Sequence, residues 1–118
     1  MTYPITAKHF RLFKREVQRL WTLWEIGGFE LVIEHYPLPS AFANCQCNPG
    51  QRSIRIRLGK ESNVPVTEAI LLDAARHEMC HALVEPLDSI GCCRYVTEDE
   101  MNQASHEVLR RLMRLLPK

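Results

Sequence analysis

Two histidines four residues apart, with a glutamate beside the first, are the side chains of this sequence best suited to chemistry. His77, Glu78 and His81 read HExxH inside AARHEMCHALVEPL, residues 74–87. On a helix, residues four apart leave from one face, about 40° apart around the axis. Two imidazoles so placed converge on one metal ion, and the glutamate next to them can act on a water there. At this composition chance yields the spacing roughly 2% of the time, so the motif outweighs a stray pair of surface histidines. Cys80 lies between the histidines but off their face, and reads as packing. Asp73 and Glu85, a turn to either side, are candidates to accept an imidazole N–H, or else solvated charges.

These residues need a helix and a sheet to hold them. Thr67 is placed as an N-cap, and apolar Ile70, Leu71, Ala74, Ala75, Leu83 and Val84 make a helix from Glu68 toward Val84, with Pro86 as its stop. Upstream, Phe10, Phe13, Val17, Leu20, Trp21 and Trp24 recur at helical spacing over residues 5–26, and Gly27-Gly28 follows as a terminator. Lys8, Arg11, Lys14, Arg15 and Arg19 decorate that helix, and Glu16 and Glu25 interrupt them, as on a solvated face. FELVIEH (29–35), AFANCQC (41–47) and RSIRIRL (52–58) read as three strands. In the third, Ile54, Ile56 and Leu58 alternate with outward Ser53, Arg55 and Arg57. Asn48-Pro49-Gly50-Gln51 has Pro and Gly placed for a type II turn, which makes strands two and three a hairpin. Residues 59–66 read as a loop. Thr97 and Glu100 form a capping-box pattern before a last helix, 98–115, with Met101, Ala104, Val108, Leu112 and Leu115 as its core stripe.

Composition sets the frame. A chain of 118 residues with a hydrophobic share of 46% is expected to be one domain, 1–118, with a real core. A net charge of +1 gives no field that points to nucleic acid or an anionic membrane. No apolar run reaches the roughly 20 residues of a membrane span, and the first residues lack the order of a signal peptide, so a cytoplasmic protein is expected. The five cysteines, Cys45, Cys47, Cys80, Cys92 and Cys93, are an odd number and argue against a disulfide framework. A four-thiolate zinc site would need CxC and CC pairs in place of the usual CxxC, and small packed thiols are the simpler reading.

Helix, three-stranded antiparallel sheet, HExxH helix and closing helix, an α+β order, resemble the zincin metallopeptidase core in its smallest form. The sequence looks like the minimal gluzincin-type proteins and the small zincin-like domains of phages and prophages. SprT-like domains, which share HExxHA (here HEMCHA, 77–82), are more distant in pattern. The likeness runs over roughly residues 29–116 and includes the late segment RYVTEDEMNQASHEVLRRLMRLL. The sequence departs from the larger families. Leu87 stands where a metzincin has its third histidine, no HG pair follows the motif, and no NExxA signature is clear.

Two imidazoles leave a zinc site one protein ligand short. The last helix offers Glu98, His106 and Glu107, at about 30°, 110° and 150° from the centre of its apolar stripe. A hairpin that sets Val84 opposite Glu98 also sets His77 opposite Ser105, which brings His106 beside the motif. In the phage-type domains that this sequence resembles, the late segment begins with a liganding Glu. Laid on HEVLRRL that position is His106, which makes His77, His81 and His106 the expected Zn2+ ligands. The resemblance implies a zinc peptidase in which Glu78 is the general base, acting on a peptide or protein substrate held against an open sheet edge. Two other classes stay open. One is a catalytically silent, zinc-stabilised interaction module of phage or host. The other is a nucleic-acid-associated protease, prompted by Arg52, Arg55, Arg57, Arg110, Arg111 and Arg114.

Overall fold

The computed structural model describes residues 2–48, 50–91, 97–99, 102, 106 and 108, with the backbone alone over 85–91. In chain order the elements are β1 (Tyr3–Pro4), α1 (Ala7–Leu23), β2 (Glu30–His35), β3 (Ala43–Asn48), β4 (Ser53–Leu58), β5 (Glu61–Ser62) and α2 (Glu68–Gly91). The class is α+β.

Helix α1 begins where a local bond makes it begin. The Thr6 hydroxyl accepts from the His9 backbone N–H at 3.2 Å, and His9 Nδ1 accepts from the Thr6 N–H at 3.0 Å. This is a capping box with a histidine in the place usually held by Glu or Gln. The helix ends three residues earlier than expected. Glu25, at φ 50°, takes the left-handed turn that Gly27-Gly28 was expected to supply. Gly28 serves a different purpose. Its φ is 81°, and a Cβ there would meet Arg52 Nη2 at 2.5 Å, so the Arg52 side chain needs this glycine to reach the Gly28 carbonyl.

The sheet is mixed, which corrects the expected antiparallel meander. Its order is β2-β4-β3. Strands β3 and β4 form the expected antiparallel hairpin, Ala43 opposite Leu58 and Asn48 opposite Ser53. Strand β2 pairs with β4 and runs parallel to it, Glu30 opposite Ser53 and His35 opposite Leu58. The reason lies in β4, whose Ile54, Ile56 and Leu58 are all fully buried. The strand with the cleanest apolar face takes the centre, and the segment holding Pro37 and Pro39 carries the chain away from β2 instead of turning it back beside β2. On the outer face Glu34 receives Arg55 at 3.0 Å and Arg57 at 3.2 Å. Arg57 also lies over the Tyr36 ring, and Arg52 over Phe29. The strand arginines are thus engaged within the chain. Pro49 lies outside the described residues, and with it the turn type; Asn48 Oδ1 accepts from Gln51 N at 3.1 Å.

Both helices contribute to one core. Phe13, Val17 and Leu20 of α1 meet Leu71, Ala75, Met79 and Ala82 of α2 and the inner side of β4. Phe10, Trp21 and Trp24 are only partly buried at its margin. Phe10 stacks on His35, whose imidazole is pushed down chiefly by burial, with Lys60 adding to the effect. Two short strands escaped the sequence reading. Tyr3–Pro4 pairs antiparallel with Glu61–Ser62, and Ile5 N donates to Lys60 O at 2.8 Å. Two residues are too few to show a period.

Helix α2 starts as expected, with Ile70 N donating to Thr67 Oγ1 at 3.2 Å. It does not stop at Pro86 but runs to Gly91. Proline removes one N–H from the ladder, and here the turns on either side carry the helix past it. Of the expected closing helix, residues 98, 99, 102, 106 and 108 are helical. Its remainder, Glu100 of the capping box, and Cys92 and Cys93 lie outside the described residues. No described helix is long and apolar enough to cross a membrane.

Glu16 does not break a basic stripe on the surface. It is 6% exposed, turned toward α2. Its carboxylate accepts from Arg19 at 2.7 and 3.0 Å and from Arg76 of α2 at 3.0 Å. Arg19 foremost, and Arg76 after it, hold this carboxyl below the usual range against the opposing effect of burial. A depressed folded pKa contributes stability above the ordinary carboxylate range, and that stability is lost as pH falls through the folded value. Glu16→Gln should therefore cost about 1–2 kcal/mol in urea unfolding at pH 7, since both arginines are half in solvent. The deficit should shrink as the pH is lowered below the ordinary glutamate range. A deficit that stays constant down to strong acid would contradict the assignment.

Candidate metal centre

The repeat that buries Leu71, Ala75, Met79 and Ala82 turns His77 and His81 outward. Both histidines are exposed, and Glu78 between them is buried at the edge of the core, 6% exposed. Helix geometry alone enforces this division, since 77 and 81 share a face that 75, 79 and 82 do not.

The two rings meet edge to face, 77° apart, with Nε2 of His77 and Nε2 of His81 separated by 3.2 Å. Two nitrogens held tetrahedrally at about 2.0–2.1 Å from one zinc lie about 3.3–3.4 Å apart. The separation of the two nitrogens is thus close to that of a zinc-bound pair. Without metal, the same spacing is a hydrogen bond in which one ring donates and the other accepts. Imidazole is also a suitable donor for zinc by its intermediate softness. Among the described residues, no group of three His, Cys, Asp or Glu is placed to hold a metal ion. His106 is exposed, with Nδ1 at 2.7 Å from the Asn102 carbonyl. Glu98 is exposed, and Glu107 lies outside the described residues.

Glu78 makes no hydrogen bond with a described side chain or backbone group. Burial pushes its carboxyl above the ordinary range, and the charges of His81 and His77 pull it back. It faces a groove of ≈ 680 Å³ that His77 also lines. One wall is α2 at Ile70, Asp73 and Ala74; the other is the entry to β3 and the loop after β5. Asp73 is not bonded to His77; it lines the groove instead, and the side chain of Glu85 lies outside the described residues. Cys80 is exposed, not packed, and burial of its sulfur still pushes the thiol up. Cys45 and Cys47 lie on the core side of β3, opposite Ile56 and Ile54. The groove residues Glu61 and Ser62 were not singled out from the sequence. Nothing in a two-residue strand announces that it will face a helix distant in sequence.

A search against protein-family models, curated proteins and solved structures finds no match for this chain.

A raised carboxyl pKa means that the fold favours the neutral acid. Stability contributed by Glu78 is present below the ordinary carboxylate range and is lost as pH rises through the folded value. In the metal-free chain, Glu78→Gln should then unfold at higher urea than the natural chain at pH 7. The gain should be on the order of 1 kcal/mol and should vanish in acid, where both side chains are neutral. A Gln variant less stable than the natural chain at pH 7 would show that the carboxylate is well solvated.

Proposed function

We propose that this protein is a zinc-dependent peptidase of minimal zincin type. The observation that carries this reading is the His77–His81 pair at zinc spacing beside an unbonded, buried Glu78 that opens on a groove. His77 and His81 would hold the metal, with a third protein ligand from the last helix. His106 is the first choice. Its Nδ1, set against the Asn102 carbonyl, suits the tautomer that keeps Nε2 as the lone-pair nitrogen, as metal-bound histidines do. Glu98 and Glu107 are the alternatives.

Zinc, when bound, supplies Lewis acidity that polarises a carbonyl and brings the proton of water within reach of a base near neutral pH. Glu78 is that base. A carboxylate whose acidity is weakened by burial is a better proton acceptor than a fully solvated one, and it would carry the proton from water to the departing amine. The β3 edge carries no partner strand among the described residues, and its entry at Ala41–Ala43 borders the groove. An extended peptide can pair its backbone there while its scissile bond lies by His77.

The purified chain should bind one zinc through this site, and His77→Ala should lose it. Glu78→Gln should keep the metal and lower cleavage of a peptide library by about 10²–10⁴-fold. Zinc retention with no cleavage by the natural chain would leave a zinc-stabilised interaction module. No zinc after reconstitution would end both readings. For the third ligand, zinc affinity should fall in His106→Ala; an unchanged affinity there, with a fall in Glu98→Ala, would assign Glu98 instead.

A further inference from the structure

We propose that the outer face of α1 is a docking surface for double-stranded nucleic acid, held by its phosphates without reading of its bases. The face carries Lys8, Arg11, Lys14, Arg15 and Arg19, all exposed, with neutral Gln18 and Thr22 among them. At 100° per residue these positions lie within an arc of about 140°, and Lys8 to Arg19 spans about 16 Å of helix. Neither Glu16 nor Glu25 breaks the row. Glu16 is turned into the contact between α1 and α2 at 6% exposure, and Glu25 lies past the helix end at φ 50°. The net charge of +1 conceals this segregation because it averages over the whole chain.

A solvated face ordinarily interleaves the two signs, and this one does not. Cations elsewhere are answered within the chain: Arg76 by Glu16, Arg55 and Arg57 by Glu34, and Arg52 by the Gly28 carbonyl. Lys8, Arg11, Lys14 and Arg15 make no ion pair or hydrogen bond with a described residue. Their placement also works against the helix itself. Lys8 with Arg11, Arg11 with Lys14 and Arg11 with Arg15 are like charges three or four residues apart, which repel. Lys8 stands in the first turn, where the helix dipole disfavours positive charge, and the last turn, where it would be favoured, holds no basic residue. Cations kept where they destabilise their own helix point to a polyanion outside the chain.

The occupant follows from what surrounds the row. Phe13, Val17 and Leu20 are packed in the core, so α1 has no free apolar side to lay into a bilayer. Phe10 and Trp21 are packed against the same core, so neither ring stands free to stack on an unpaired base. A straight row of ammonium and guanidinium groups, with the Gln18 amide and the Thr22 hydroxyl as further donors, matches the phosphate edge of a duplex. This surface needs neither zinc nor a peptide substrate.

The test uses the full natural chain and two fluorescein-labelled DNA duplexes of unrelated sequence, followed by fluorescence anisotropy. Both duplexes should bind alike, with affinity falling about 10²-fold between about 50 and 200 mM NaCl, as roughly four phosphate contacts require. Arg11→Gln should lower the salt slope by about one. Lys8→Gln, Arg11→Gln, Lys14→Gln and Arg15→Gln combined should abolish binding while circular dichroism shows the helix kept, since glutamine is also a good helix former. Lys60→Gln removes the same charge from an exposed site away from α1, and should leave affinity within about twofold and the slope unchanged. The two single variants decide the matter even if the combined one does not fold. No binding at low salt, undiminished binding by the combined variant, or equal losses in Arg11→Gln and Lys60→Gln would overturn the proposal. Tighter binding to vesicles containing phosphatidylserine, or to a single strand of the same length, would overturn the choice of a duplex as partner.

Discussion

Helix α2 has to pack the core with one face and carry His77, Glu78 and His81 on the rest, and the packing around it sets how those three residues are presented. Helix α2 buries Leu71, Ala75, Met79 and Ala82 completely. The same 3.6-residue repeat sends His77 and His81 to the outside and leaves Glu78 at the boundary. Buried apolar side chains fix the rotation of the helix, and that rotation fixes the site. The β4 residues Ile54, Ile56 and Leu58 give the helices a flat apolar surface to settle on, and Glu16 ties α1 to Arg76, one residue before the motif. A core substitution such as Leu71→Ala would therefore disturb the imidazole pair as well as the packing.

The site also carries a cost. Glu78 is 6% exposed, and burial pushes its carboxyl above the ordinary range, so its charge works against the fold. Proteins tolerate such groups where the destabilised charge is useful, and a poised base is one such use. Glu16 is the counterexample within the same chain. It is equally buried, but two arginines satisfy it and its acidity moves the opposite way. The contrast between these two glutamates argues for chemistry at Glu78 better than burial alone would.

Much of this was legible in the sequence because it depends on short spacing. The helix over residues 77–81, the Thr67 cap and the alternation of Ile54, Ile56 and Leu58 each need only a few neighbouring residues, and each falls where it was read. Strand pairing needs more. The apolar pattern of β2 says that it is a strand but not which neighbour it takes, and so the parallel pairing with β4 was missed. Glu16 read as an interruption of positive charge because its partner Arg76 is 60 residues away. The strands β1 and β5 are two residues each, below any period, although they shape the groove wall that holds Glu61. The histidine spacing is a local signal and says nothing about which residue of a helix elsewhere in the chain faces the pair.

X-ray absorption at the zinc edge of the reconstituted protein tests the central claim most directly, because it reads the atoms bound to the metal without requiring a substrate. Expected is a shell of nitrogen and oxygen alone at about 2.0–2.1 Å, with the multiple-scattering signature of at least two imidazoles. The spectrum of Glu78→Gln should be nearly the same, since Glu78 acts on water and not as a ligand. Sulfur scattering at about 2.3 Å would place the metal on the cysteines and contradict the assignment of His77, Glu78 and His81 as the centre of this protein.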